Sequence, residues 1–394
     1  MIRTLDQLDF KGKKVFIRVD FNVPAKNGVI SDDTRIREAL PTLRKILDSG
    51  GSLIIASHLG RPKGGADPAF SLAPVAARLG ELLGVPVPLV GEVVGESATS
   101  QAARLTPGKV LMLENVRFHP GETKNDPVLS EAFAKLADLY VNDAFGSCHR
   151  AHSSTVGVAG FFKPEERAAG YLLMKELDSF RRVLLNPARP LVAILGGAKV
   201  SDKIAVIENL LPRVDRLLVG GAMAFTFLKA KGVPVGDSLV EDDKVALARE
   251  LMEKAASAGV RLLLPVDHIA AREISDEAKA IATVDEAVPE GLKGLDIGPR
   301  TVALFSAAVA DAGTLVWNGP MGVFETAQFA AGTYALARAV ADCRGFTVVG
   351  GGDSVSAVKK SGVAGRIGHI STGGGASLEL LEGRTLPGVA ALDG

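Results

Sequence analysis

The sequence predicts an α/β protein of two domains, each a parallel sheet with helices on both faces. Three observations carry this. The chain has 394 residues, more than one hydrophobic core ordinarily organises. Short apolar runs, often β-branched, alternate with amphipathic stretches along the chain. The runs end in turns bearing glycine, histidine, arginine or asparagine.

The apolar runs lie at 15–19, 53–56, 110–113, 191–195, 217–219, 262–264, 315–317 and 347–349. Apart from Arg18 and Thr347 they are continuous, the pattern of strands buried on both faces. Amphipathic stretches at 72–83, 200–211, 241–258 and 327–342 separate them, with apolar residues at helical spacing. Residues 171–185 read as one more helix, with Leu172, Leu173, Leu177 and Phe180 near helical spacing. Asn186, Pro187 and Pro190 stop it, since proline supplies no backbone donor and clashes with the preceding turn. A domain boundary is therefore expected near 170–190, with this helix as a stiff connector. The two halves share a βα rhythm but no short fixed period, which excludes a repeat architecture.

Composition excludes other classes. Lysine plus arginine and aspartate plus glutamate number 45 each, so no global field draws the chain to nucleic acid or an anionic membrane. The first ten residues lack a basic start, an apolar run and a cleavage site, and no apolar run could span a bilayer. A cytoplasmic location is the expectation. Cys148 and Cys343 are the only cysteines and are read as free thiols in a reducing compartment.

In the first half, strand after strand ends in groups suited to anions. Arg18-Val-Asp20-Phe-Asn22, Ser57-His58-Leu59-Gly60-Arg61 and Glu114-Asn115-Val-Arg117-Phe-His119 close three runs, Arg35 opens the segment after the first, and Asn142-Asp143 leads to His149-Arg150-Ala-His152. Arginine offers phosphate a planar fork of charge-assisted donors. Any one of these could be an ordinary surface arginine in a weak ion pair. As a set they fall repeatedly at carboxyl ends of strands, where open α/β sheets bind ligands. A small, multiply anionic substrate follows. His58, His149 and His152 sit in these turns as candidate phosphate donors, whereas His268 and His369 read as structural.

In the second half, Gly196-Gly197-Ala-Lys199-Val-Ser201-Asp-Lys203 is strand, glycine turn and helix start. Backbone N–H groups at such a helix start attract phosphate, and lysine adds a mobile charge. The GxxxxGK[ST] spacing of a Walker loop is absent. Gly350-Gly351-Gly352-Asp353-Ser354 is a second such turn, with an acid for Mg²⁺ and a hydroxyl for phosphate, and Thr372-Gly373-Gly374-Gly375 a third. Asn318-Gly319-Pro320-Met321-Gly322-Val-Phe-Glu325 closes another strand with an acid placed for ribose hydroxyls. A lone glycine triplet is usually just a tight turn. Three glycine turns at strand ends, one with lysine and one with aspartate, point to a nucleotide–Mg²⁺ site, and the two halves together to phosphoryl transfer.

Arg18-Val-Asp-Phe-Asn-Val-Pro24, Ser57-His-Leu-Gly-Arg-Pro62, Leu113-Glu-Asn-Val-Arg-Phe-His119, Asn142-Asp-Ala-Phe-Gly146 with His149-Arg-Ala-His152, and the glycine motifs from Gly196 to Glu382 resemble phosphoglycerate kinase, in that family's order over nearly the whole chain. The resemblance implies two Rossmann-like three-layer α/β/α domains with parallel sheets, joined by a helix hinge. Residues 1–170 would bind 3-phosphoglycerate or 1,3-bisphosphoglycerate, with a tail at 377–394 returning to them. Residues 171–187 would be the interdomain helix and 188–376 the nucleotide domain. Asp20, Asn22, Arg35, His58, Leu59, Gly60, Arg61, Arg117 and Arg150 would hold the substrate. Gly197, Lys199, Lys203, Gly294, Glu325, Gly351, Gly352, Asp353 and Ser354 would hold ADP or ATP, with Gly220 and Gly221 at the adenine slot and Asp353 on Mg²⁺. The family also implies a cytoplasmic monomer with hinge closure. Arg384 stands where lysine is expected, and Ser147-Cys148 occupy variable positions; neither touches an expected contact.

Both nucleophiles of that reaction, a phosphate oxygen of ADP and a carboxylate in reverse, are already anionic. No general base is needed, only in-line positioning and neutralised charge. Arg35, Lys199, Mg²⁺ and the N–H groups of Gly352 and Gly373 to Gly375, Gly374 among them, would supply these. A nicotinamide-dependent dehydrogenase would need a GxGxxG after its first strand, which is absent. A non-catalytic phosphosugar-binding protein would leave Lys199, Asp353 and Glu325 without a role.

Overall fold

A computed structural model describes residues 2–393. It divides into two units, Met1–Leu177 with Thr385–Gly394, and Asp178–Arg384. The division falls inside the helix Tyr171–Leu184, which matches the amphipathic pattern to within a residue. Residues 377–384 lie with the second unit, and only the segment from Thr385 onward lies with the first. The helix Gly375–Leu381 explains this, because Asn209 of the helix Ile204–Leu210 donates to the Leu381 carbonyl at 2.8 Å.

In the first unit a five-stranded sheet runs Val110–Met112, Ser52–Ala56, Lys14–Val19, Leu139–Asp143, Arg167–Ala169, every pair parallel. Counted along the chain, that order is 3-2-1-4-5, so the direction of winding reverses between Lys14–Val19 and Leu139–Asp143. Side chains alternate across the central strand. Val15, Ile17 and Val19 pack with Ile36, Leu43 and Ile46 of the helix Thr34–Asp48 and with Val75 and Leu79 of the helix Ala73–Leu83. Phe16 faces the other side, its ring 5.1 Å from Phe133 and 6.2 Å from Tyr140. Arg18 lies two residues on, on that same buried face.

In the second unit a six-stranded sheet runs Arg261–Leu263, Arg216–Val219, Leu191–Leu195, Thr314–Asn318, Phe346–Gly350, His369–Ile370, again parallel throughout. Its order is 3-2-1-4-5-6, the Rossmann order, reversing between Leu191–Leu195 and Thr314–Asn318. Trp317 is wholly buried among Val192, Ile194, Phe305 and Leu336. The expectation of parallel sheets alone misses a three-stranded antiparallel sheet in this unit, Ile281–Ala282, His268–Ala271 and Lys293–Ile297. Its longest apolar run is Ile269-Ala270-Ala271, with no aromatic or valine in its strands, in keeping with a small added layer and not a doubly covered sheet.

Among the described residues no helix is long and apolar enough to cross a membrane. Cys148 and Cys343 are free thiols.

Candidate active site

Parallel register brings the strand ends of the first unit to one level. Arg18 pairs with Ala56 on one side and Asn142 on the other. Asp20, His58 and Asp143 therefore leave the sheet together at the point where its winding reverses. Arg35, in the first turn of the helix Thr34–Asp48, donates to Asp20 Oδ1 at 2.7 Å. Burial opposes ionisation of Asp20, but Arg35, His58 and Arg18 outweigh it and hold the carboxyl at about 2. Asn22 Oδ1 accepts from Gly60 N at 2.8 Å, and Arg117 donates to the Gly60 carbonyl at 2.5 Å. Gly60 has φ +61, and a Cβ there would lie 2.3 Å from the Phe70 ring. Asn115 fixes the same loop by donating to Leu59 O at 2.8 Å and Phe70 O at 2.9 Å.

Below this layer lies Arg18, 1% exposed. Its Nε donates to Ser154 Oγ at 2.8 Å and its second terminal nitrogen to His58 Nδ1 at 3.2 Å. Ser154 in turn donates to Glu122 Oε1 at 2.6 Å. Burial drives the His58 imidazole well below its usual range, with Arg18, Arg117 and Arg35 adding to the effect against Asp20. Burial, with Arg18, Arg117, Arg150 and His149 adding to it, lowers His152 to about 4. Both rings are neutral at pH 7, so His152 Nδ1, 3.8 Å from Glu122 Oε1, forms no ion pair there. Arg61 and Arg150 are exposed. The first-unit cluster thus gathers Asp20, Asn22, Arg35, His58, Leu59, Gly60 and Arg117 through direct bonds, with Arg61 and Arg150 following its loops.

In the second unit a cavity of about 520 Å³ opens at the strand ends, lined by Gly197, Gly221, Phe225, Gly294, Glu325 and Asp353 among others. Glycine follows three strands for a steric reason. A Cβ on Gly196 would lie 2.1 Å from Pro320 O, one on Gly319 2.1 Å from Gly196 O, and one on Gly220 2.3 Å from Met321 Sδ. These three let adjacent turns touch. A Cβ on Gly294 would meet the Phe225 ring at 2.1 Å, so the flat wall of the cavity needs glycine there. Gly197 (φ +118), Gly352 and Gly374 (φ +51) instead face open space, which leaves backbone accessible to a ligand. Gly351, φ +90, precedes the helix Gly352–Lys360, whose first N–H groups have no acceptor within the helix.

Three expected roles are placed differently. Lys199 is exposed and stands outside the cavity lining, which takes Gly197 and Ala198 from that turn. Lys203 is the lysine turned inward, donating to Asn318 Oδ1; burial lowers its ammonium, opposed by Asp202, Glu382 and Asp353. Ser354 is wholly buried, and its hydroxyl oxygen accepts from Gly319 N at 2.6 Å, tying one strand-end turn to the next instead of facing the cavity. His268, read as structural, is buried in the cavity wall with its ring 4.9 Å from Phe225. Glu122 and Ser154 lie outside the motifs, and Arg18 and Asn318, which open two of them, are not among the expected ligand contacts. For Arg18 the signal was there, an arginine inside an otherwise apolar run; Glu122 and Ser154 carry none.

Among the described residues no group of three histidine, cysteine, aspartate or glutamate side chains could hold a metal ion. A nucleotide-borne Mg²⁺ needs less, keeping waters and taking one or two carboxylates beside the phosphates. Asp353, exposed in the first turn after Gly351 and beside open space at Gly352, fits such a partial set.

The phosphoglycerate kinase family profile matches residues 5–384. The phosphoglycerate kinase of Moorella thermoacetica is 56% identical over 389 residues, 99% of this chain and 98% of its own. That of Synechococcus elongatus is 55% identical over 396 residues, covering 100% and 98%. Among solved structures, phosphoglycerate kinase from Coxiella burnetii matches with a TM-score of 0.90 at 44% identity, over 100% of this chain and 99% of its own. The enzyme from Pyrococcus horikoshii matches with a TM-score of 0.86 at 34% identity, over 100% and 98%.

Proposed function

The chain belongs to the phosphoglycerate kinase family, and from that membership we propose how it divides the reaction: the first unit holds the phosphoglycerate and the second the nucleotide. It is a phosphotransferase of glycolysis. Toward ATP, a β-phosphate oxygen of ADP attacks the acyl phosphorus of 1,3-bisphosphoglycerate, and the carboxylate of 3-phosphoglycerate leaves with the bonding electrons. No proton moves at the nucleophile, so the residues serve position and charge.

Asp20, Asn22, the loop from His58 to Arg61, Arg117 and Arg150 bind the phosphoglycerate, and Arg35 reaches the transferring group. The ordered donors support this: Asp20 and Asn22 hold Arg35 and Gly60 in fixed positions. Gly197, Gly294, Glu325 and the turn from Gly351 to Asp353 bind ADP or ATP, supported by their place around the cavity or at its helix start. Lys199, Gly352 and Gly374 offer charge and N–H groups to the transferring phosphoryl. Lys203 acts from beneath through Asn318, and Ser354 through its bond to Gly319. Mg²⁺, held by Asp353 and the nucleotide, supplies positive charge to the phosphates. A cytoplasmic monomer that closes by bending completes the reading, since transfer between units must bring reacting atoms within about 3–3.5 Å and exclude water.

The observation that carries the proposal is the pairing in one chain of an arginine-lined strand-end cluster and a glycine-walled cavity of nucleotide size. The test is a coupled assay of ATP formation from 1,3-bisphosphoglycerate and MgADP. Turnover is expected; phosphoglycerate binding without ATP formation would leave only a binding protein.

A further inference from the structure

Arginine has five N–H donors and no acceptor. The 3.2 Å contact between the Arg18 guanidinium and His58 Nδ1 therefore requires a bare Nδ1, with the ring proton on Nε2. Asp20 Oδ1 stands farther from Nδ1, at 4.0 Å. Among the described residues no protein group bonds to Nε2, and it is not one of the buried atoms left without a partner. The fold leaves that N–H for a ligand.

What holds Arg18 in this role comes from behind it. The Ser154 hydroxyl accepts from Arg18 Nε at 2.8 Å and gives its own proton to Glu122 Oε1 at 2.6 Å. Glu122 Oε2 accepts from Ser154 N at 3.0 Å, and the Tyr140 hydroxyl donates to Ser154 O at 3.1 Å. Glu122 and Ser154 are wholly buried. The bonds have one direction only: Arg18 into Ser154 into Glu122 on one arm, and Arg18 into His58 on the other. A buried guanidinium without its acceptors would turn toward another partner, because an unmet buried charge is costly.

Resting on the phosphoglycerate kinase reading, we propose that Glu122 and Ser154 are positioning residues for the phosphoglycerate site. Acting through Arg18, they fix His58 as a neutral imidazole that presents Nε2–H to the anionic substrate. The groups facing His58 are Asp20, Arg18, Arg117 and Arg35.

The test uses full-length ¹⁵N-labelled protein, whose six histidines allow long-range ¹H–¹⁵N correlation of each ring, with His58 assigned from its loss in His58→Gln. The wild type should show a protonated Nε2 and a bare Nδ1, unchanged from pH 8 to about pH 6. Ser154→Ala and Glu122→Gln should shift His58 toward mixed tautomers. They should also raise the KM for 3-phosphoglycerate about tenfold while the KM for ATP stays within about twofold. Ser154→Thr, which keeps the hydroxyl, should restore both. An unaltered His58 tautomer in the folded variants, or an equal rise in both KM values, would overturn the proposal. If the wild type makes no ATP, the activity proposed for this chain fails instead, and the tautomer result still decides this one.

Discussion

Arg18 is sealed into the protein, and its hydrogen bonds run to two serines, a histidine and a carbonyl instead of a carboxylate. Its charge is consequently only partly cancelled. It lowers Asp20, His58, His152 and Arg117 alike, making one buried cation the electrostatic floor of the cluster. Lys199 is its opposite, an exposed lysine to which the proposed function gives the transferring phosphoryl group. Lys199→Ala should lower kcat roughly ten- to a hundredfold, the effect of about 1.5 to 3 kcal/mol for one charge-assisted bond. Steady-state kinetics decides it, and the melting temperature should barely move because little packing is lost. An unchanged kcat would remove Lys199 from the transfer step.

The helix Tyr171–Leu184 is anchored at its start by side chains of the first unit. Asp143 Oδ1 accepts from Leu173 N at 3.0 Å, and Thr42 Oγ1 accepts from Tyr171 N at 2.9 Å. A Cβ on Gly170 would lie 2.1 Å from Asp143 Oδ1, so glycine lets the carboxyl reach the helix. Burial raises Asp143 to about 7 from 3.8, beyond what the helix N–H groups and Thr42 recover, and Oδ2 has no partner. The folded state thus favours the protonated acid. Its stabilisation is full below the unfolded value near 4 and is lost as pH rises through about 7. Asp143→Asn keeps the Oδ1 acceptor and never ionises. It should raise the melting temperature at pH 8 by a few degrees, since about 1 kcal/mol moves a unit of this size by roughly 2–4 °C, and change it little at pH 5. Calorimetry at both pH values checks this. A lower melting temperature at pH 8 would mean that the charge itself caps the helix.

At the scale of the molecule, the proposed function gives one ligand to each unit, and transfer between them requires both ligands to meet. Each ligand can favour a closed state only through contacts made in that state. The expected outcome is that 3-phosphoglycerate and MgADP together lower the radius of gyration more than either alone. Small-angle X-ray scattering on the free, singly and doubly liganded protein reads it directly. Equal scattering from all four states would end the hinge reading of residues 171–187.

The apolar runs near 15–19, 53–56, 191–195 and 347–349 were legible as strands because a doubly covered strand needs nearly every side chain apolar, a local demand. So were the glycine turns, since no other residue fits where Gly196 and Gly319 touch. The strand Leu139–Asp143, beside the central one, reads in sequence only as a lead-in to a motif, because its last residues are polar and are satisfied by distant partners. The antiparallel layer beside the cavity is silent for a related reason: its stability comes from His268–Ala271 pairing with both Ile281–Ala282 and Lys293–Ile297, not from composition. Sequence by itself determined the two parallel sheets, the helix Tyr171–Leu184 and which strand ends carry arginine, histidine and glycine turns. Tertiary structure alone decided that Lys203 turns inward while Lys199 stays outside, that Ser354 ties one turn to another, and that Glu122 reaches Arg18 through Ser154. Hydrogen-bond partners and burial are set by segments more than thirty residues apart, and local spacing carries no record of which distant group will arrive.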